Sequence, residues 1–278
     1  MEERPESNTD LESADVFSAV NNYLLLFLCA SCLLASMYVQ EVFLYLGQYR
    51  FGIGASALVA IILPLWLLLR RIGPGVTRQV RLARPRLPRL AYIVVTTLAT
   101  VVIVDQIYLI NQQFSPVPPE YLESLEDLRP TDVWNFSVIF LSLCVAVPVA
   151  EELLFRGMIQ QIFSRNVGAV AGFVLAGLLF GAVHLNAHLL ISISFFGIIL
   201  SFVYFATGNL IYTIVSHAVF NALALMQLTF GGASDSAELP FYLRDVRVFV
   251  ISVVLLVFFL YKLKQGGPEM EPPYESGP

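Results

Sequence analysis

Residues 134–184 read WNFSVIFLSLCVAVPVAEELLFRGMIQQIFSRNVGAVAGFVLAGLLFGAVH, with Glu151, Glu152, Arg156 and Arg165 as their charged positions. No further Asp, Glu, Lys or Arg occurs before residue 231. A stretch this poor in charge cannot be one soluble core. It divides naturally into several membrane-spanning helices, each of about 20 apolar residues. The rest of the chain agrees. Of 278 residues, 57% are hydrophobic and 13% charged, against about 45–50% and about 25% in soluble domains. The composition therefore points to an all-α polytopic membrane protein, a bundle of about eight transmembrane helices with its site inside the bilayer.

Working outward, the expected spans are 19–46, 52–69, 90–112, 133–163, 167–185, 189–206, 209–230 and 247–263. Arg70, Arg71, Arg78, Arg81, Arg84, Arg86 and Arg89 separate the second from the third. Basic loops stay in the cytoplasm, which puts both termini in the cytosol and the acidic 115–133 loop outside. Lys262 and Lys264 after the last span agree. The expected organisation is an acidic cytosolic segment 1–18, a transmembrane domain 19–263 with a polar-motif core at 130–230, and a disordered, Gly-, Pro- and Glu-rich cytosolic tail 264–278. Residues 1–18 lack the basic start of a signal peptide. The expected location is a cytoplasmic membrane of prokaryotic type. A net charge of −5 argues against a nucleic-acid partner, and three Cys exclude a disulfide scaffold. No inverted repeat supports a transporter. Gly168 with Gly172, and Gly177 with Gly181, lie one turn apart, a spacing that lets membrane helices approach closely.

Ionisable side chains inside a membrane helix are costly, so each is a functional candidate. Glu152 and Arg156, four apart on one helix, can form an ion pair in the favoured order. Glu151 is rotated about 100° away and points elsewhere. Phe180 and His184 share a helix face, as do His217 and Asn221. A lone membrane histidine can equally be a helix–helix hydrogen bond, and the carboxylates can equally mark a helix end. Helical rise places Glu151 about 21 Å before the Arg165 turn and His184 about 25 Å after it, at similar heights on antiparallel neighbours. Together these groups suit hydrolysis. A buried carboxylate acts as general base on water, an imidazole orients the water or shuttles its proton, and His217 and Asn221 donate to an oxyanion. Glu151, His184 and His217 could alternatively hold Zn²⁺, although no H-E-x-x-H is present.

The three segments, Glu151-Glu152-Leu153-Leu154-Phe155-Arg156, Phe180…His184 and His217…Asn221, resemble the E-E-x-x-x-R, F-x-x-x-H and H-x-x-x-N/D motifs of the CAAX-protease and bacteriocin-processing membrane protease family, also called the abortive-infection or type II CAAX prenyl endopeptidase family. The resemblance covers roughly residues 130–226. It implies an eight-helix intramembrane endopeptidase in which Glu151 and His184 activate water and His217 and Asn221 stabilise the oxyanion. Glu152, Arg156 and Phe180 would support them. No metal is expected to be obligatory, zinc being the ion to consider. The implied substrate is a membrane-associated peptide or protein, lipidated or not. The alternative is a non-catalytic membrane scaffold, immunity or regulatory protein that keeps the fold; a proton-coupled transporter is a third reading.

Other features receive plainer readings. Cys29, Cys32 and Cys144 are apolar thiols in apolar helices. His188 is separated from His184 by a loop beginning near Asn186. Glu41 and Asp105 are expected to snorkel to the outer interface. The Arg cluster is expected to contact anionic lipid or to fix topology. Residues 118–129 suggest an outer surface helix.

Overall fold

The structure, a computed structural model, describes residues 21–72, 80–235 and 245–269. The expected N-terminal segment 1–18 lies outside them. Among the described residues the chain forms helices and no strand. In chain order these are α1 (Asn22–Tyr45), α2 (Tyr49–Arg71), α3 (Leu87–Gln112), α4 (Pro119–Leu128), α5 (Val133–Val167), α6 (Ala169–Ala182), α7 (Leu190–Thr207), α8 (Leu210–Asp235) and α9 (Val246–Gln265). Seven of them are long and apolar enough to cross a membrane. The eighth expected span, 167–185, differs. Its helix α6 has 14 residues, about 21 Å at 1.5 Å per residue, less than the hydrocarbon thickness. α4 is the short amphipathic helix expected between spans three and four.

Close packing of α6 fixes the centre of the bundle. A Cβ at Gly177 would lie 2.5 Å from Ile198 N, and one at Gly172 would lie 2.5 Å from Ser164 N. The glycines thus let α6 touch the backbones of α7 and α5, as their spacing suggests. Gly168 joins α5 to α6 with φ 86°, a left-handed conformation that a side chain disfavours. This tight turn makes the two helices antiparallel neighbours.

α5 is irregular where its sequence requires it. Pro148 has no N–H and cannot continue a regular ladder. The helix widens into a π-type turn over Ser142–Ala146, and a second follows over Phe155–Ile159. Such turns recur at functional sites. They bracket the segment Val147–Leu154, which carries both glutamates.

The Arg-rich segment is structural as well as basic. Leu210 N–H donates to Arg81 O (2.9 Å), and Asn209 exchanges hydrogen bonds with Ala83. Arg89 is buried, against the expectation of a lipid contact. Its guanidinium donates to Gly267 O (2.8 Å) and pairs with Glu269 (3.2 Å). Glu269 also accepts from Asn209 Nδ2 (2.9 Å) and Tyr212 Oη (2.7 Å). Residues 264–269 of the expected disordered tail are therefore part of the fold, because a buried arginine and two further donors hold their carboxylate. Residues 270–278 lie outside the described residues.

Candidate active site

The site is built on α5, α6 and α8, with α7 closing one side. Its centre is a buried ion pair. Arg156 Nη1 donates to Glu152 Oε1 (2.8 Å), and both side chains are 0% exposed. Arg156 Nη2 donates to Gly197 O on α7 (2.8 Å). The guanidinium lies 4.6 Å from the Phe180 ring centre on α6, a cation–π contact. The expected pair is therefore present, and α7 and α6 complete its surroundings.

Spacing alone did not reveal a third partner. His217 Nδ1 hydrogen-bonds Glu152 Oε1 at 2.9 Å. A carboxylate only accepts, so Nδ1 donates, and Nε2 is not engaged by Glu152. Nε2 faces Glu151, 3.8 Å from its Oε2. Glu151 is the more accessible of the two acids, its side chain 23% exposed. The adjacent carboxylates thus do different work. Glu152 is sealed and orients His217, while Glu151 opens towards the other ring nitrogen. Ser216 shares a 2.7 Å hydrogen bond with Thr97 of α3, which fixes α8 beside His217.

Asn221, one turn beyond His217, donates from Nδ2 to Leu143 O on α5 (2.8 Å). The irregular helix explains this bond. The usual partner of Leu143 O, Val147 N–H, turns instead to Ser142 O, and the next residue is Pro148, which has no N–H. Asn221 supplies the missing donor. Its second N–H makes no hydrogen bond among the described residues.

His184 stands at the rim. It is exposed, its Nδ1 hydrogen-bonds Phe180 O (2.7 Å), and its ring packs edge-on against Phe180 (5.1 Å). The same Phe180 ring touches His217 (5.7 Å), so one ring is in contact with both imidazoles. Glu151 and His217 are brought together, and Asn221 follows them along α8. Among the described residues no three His, Cys, Asp or Glu side chains gather closely enough to hold a metal ion. Glu151, His184 and His217 therefore do not form a three-ligand zinc site in this arrangement.

No curated protein and no solved structure matches the chain. The family comparison matches the part of the chain that supplies Glu151, Glu152, Arg156, Phe180, His184, His217 and Asn221: residues 133–223 fit the model of the Rce1-like family, described as type II CAAX prenyl endopeptidase Rce1-like.

Proposed function

We propose that the protein is an intramembrane endopeptidase that hydrolyses a peptide bond of a membrane-associated peptide or protein with Glu151 as general base. The observation that carries this reading is the 3.8 Å approach of Glu151 Oε2 to His217 Nε2. That separation is too long for a direct hydrogen bond. A water about 2.8 Å from each atom would bridge them at an angle of about 85°. Glu152, itself held by Arg156, keeps the His217 ring in place, so one of the two water acceptors is preorganised.

In the reaction Glu151 takes a proton from that water while its oxygen bonds to the scissile carbonyl carbon. The carbonyl oxygen gains charge and accepts from the uncommitted N–H of Asn221. With one proton on the ring, His217 belongs on the water side, so the oxyanion contact falls to Asn221. The C–N bond then breaks, and the proton on Glu151 passes to the departing amine. His184, at the rim, exchanges the proton with solvent. Each step uses side chains of this chain and needs no metal.

The test is cleavage of quenched-fluorescent peptides, one farnesylated and one a plain apolar segment, by the full chain in lipid nanodiscs. Glu151→Gln should abolish cleavage with unchanged elution and melting. If the wild type cleaves neither peptide and Glu151→Gln retains the wild-type cellular phenotype, the non-catalytic scaffold is the better account.

A further inference from the structure

Beside the site lies a cavity of about 350 Å³. Asn221 and Phe220 of α8, Ser192 of α7, Tyr108 of α3, and Tyr121 and Leu125 of α4 are among its lining residues. Most of this lining is apolar. Two polar groups in it have no evident business with the fold. Asp105, expected at sequence level to snorkel away, is half-buried and lines the cavity instead. It makes no hydrogen bond or ion pair among the described residues. Ser192 is 1% exposed, and its Oγ has no hydrogen-bond partner among the described residues. Buried polar groups in native proteins are nearly always satisfied, and a lone carboxylate at membrane depth is costly. An occupant of the cavity would satisfy both.

The α4 side of the cavity, Tyr121, Leu125 and Leu128, is held in place. Arg50 Nη2 donates to Asp127 O (2.7 Å) at the far end of α4. Tyr121 packs edge-on against buried His188 at 4.7 Å. Glu120, Glu123, Glu126 and Asp127 lie on the exposed face of α4, with Arg129 paired to Glu126 (2.9 Å) and Arg50 bonded at the end of the helix. Asp105 is the one charged side chain among the lining residues, and a carboxylate without a partner favours a cation. Tyr108 and Tyr121 add aromatic surface beside the carboxylate.

Resting on the endopeptidase reading, we infer that this cavity is a specificity subsite that takes an apolar segment of the peptide substrate bearing one basic side chain. Its ammonium or guanidinium pairs with Asp105, and Ser192 Oγ meets a polar group of the bound segment. Because Asn221 belongs to both places, the occupied subsite lies next to the bond being cut. Asp105 thereby sets which peptides are cleaved without taking part in the chemistry.

Two measurements on the full chain in nanodiscs test this. The first is fluorescence anisotropy with dansylcadaverine, an aromatic primary amine, and with its neutral N-acetyl derivative. The amine should bind on the order of ten-fold more tightly. Asp105→Asn should erase that preference, Asp105→Glu should retain it, and Glu151→Gln should leave it intact. Ala224→Trp, which fills the cavity without altering Asp105, should weaken both probes. The second compares two quenched apolar peptides that differ by lysine against norleucine. The lysine peptide should have a kcat/KM on the order of ten-fold higher, an advantage lost in Asp105→Asn. Equal affinity for the two probes, or an amine preference that survives Asp105→Asn, overturns the cationic subsite whatever the protease activity. Amine selectivity without cleavage of any peptide overturns the peptide occupant and the endopeptidase reading while leaving a cation site. Cleavage that ignores lysine overturns the subsite and leaves the endopeptidase reading standing.

Discussion

Glu152→Gln isolates the charge of the central acid. The substitution keeps the shape and the Oε1 acceptor, so Arg156 Nη1 and His217 Nδ1 can still donate at their present distances of 2.8 and 2.9 Å. What is lost is the counter-charge of a guanidinium that is 0% exposed. Gly197 O and the Phe180 face remain, but they are uncharged partners, and the Glu151 carboxylate, which also acts on Arg156, makes no hydrogen bond to it. Removing one member of a buried pair costs about 3–5 kcal/mol because the other charge stays buried and uncompensated. At roughly 2 °C per kcal/mol for a chain of this size, melting should fall by about 6–10 °C. The assay is melting in a fixed detergent, followed by intrinsic fluorescence and repeated with Arg156→Met and with the double variant. The double variant removes both charges. It should melt well above the value that adding the two single effects would give, a coupling of up to about 3 kcal/mol. A Glu152→Gln protein that melts within about 2 °C of wild type, or strictly additive singles, would refute the argument that Arg156 depends on this carboxylate.

Asn221→Asp should lower stability by about 1–3 kcal/mol, because a carboxylate cannot donate to Leu143 O and one buried carbonyl loses its partner. Pro148→Ala in the same chain supplies an N–H beside that carbonyl, and its failure to recover any melting temperature would count against the assignment. Treatment with a strong chelator should leave peptide cleavage largely intact; complete loss restored by Zn²⁺ would show that the mechanism requires metal. At the start of α5, the Asn135 backbone N–H donates to Asp132 (2.8 Å) and holds its carboxyl below the ordinary value. A depressed carboxyl stabilises the fold above its unfolded value of about 3.9 and loses that contribution as pH falls through the folded value. Protection from hydrogen exchange at residues 133–137, taken relative to the intrinsic rate at each pH, should therefore fall in acid for wild type and change less with pH for Asp132→Asn, whose amide caps without titrating; identical acid limbs would count against it.

The membrane class, most helix positions and the Glu152–Arg156 pair could be read from sequence because each rests on local rules. Charge-free length specifies a span, and a four-residue spacing brings two side chains onto one face. The glycine spacing likewise anticipated the close approaches of Gly172 and Gly177. The missed features depend on which neighbour each face meets. Helical rise correctly made α5 and α6 antiparallel, but it gives height and not rotation. It could not show that the Phe180 ring meets both His184 and His217, or that His184 is exposed while His217 is buried. Nor could it show Glu152 accepting from His217, a contact across 65 residues. Pro148 was the one local signal of irregularity in α5. Followed through, a missing N–H there implies a carbonyl needing a donor from another helix, and Asn221 is that donor. Asp105 failed for the opposite reason. Near a helix end a carboxylate is read as reaching for water, and only the packing of α4, α7 and α8 beside α3 shows that it lines a cavity. A polar residue in a membrane helix thus announces that a partner exists. Which partner it is depends on the rotation of the neighbouring helix, and that is set here by the glycines of α6 and by Pro148, three residues before Glu151.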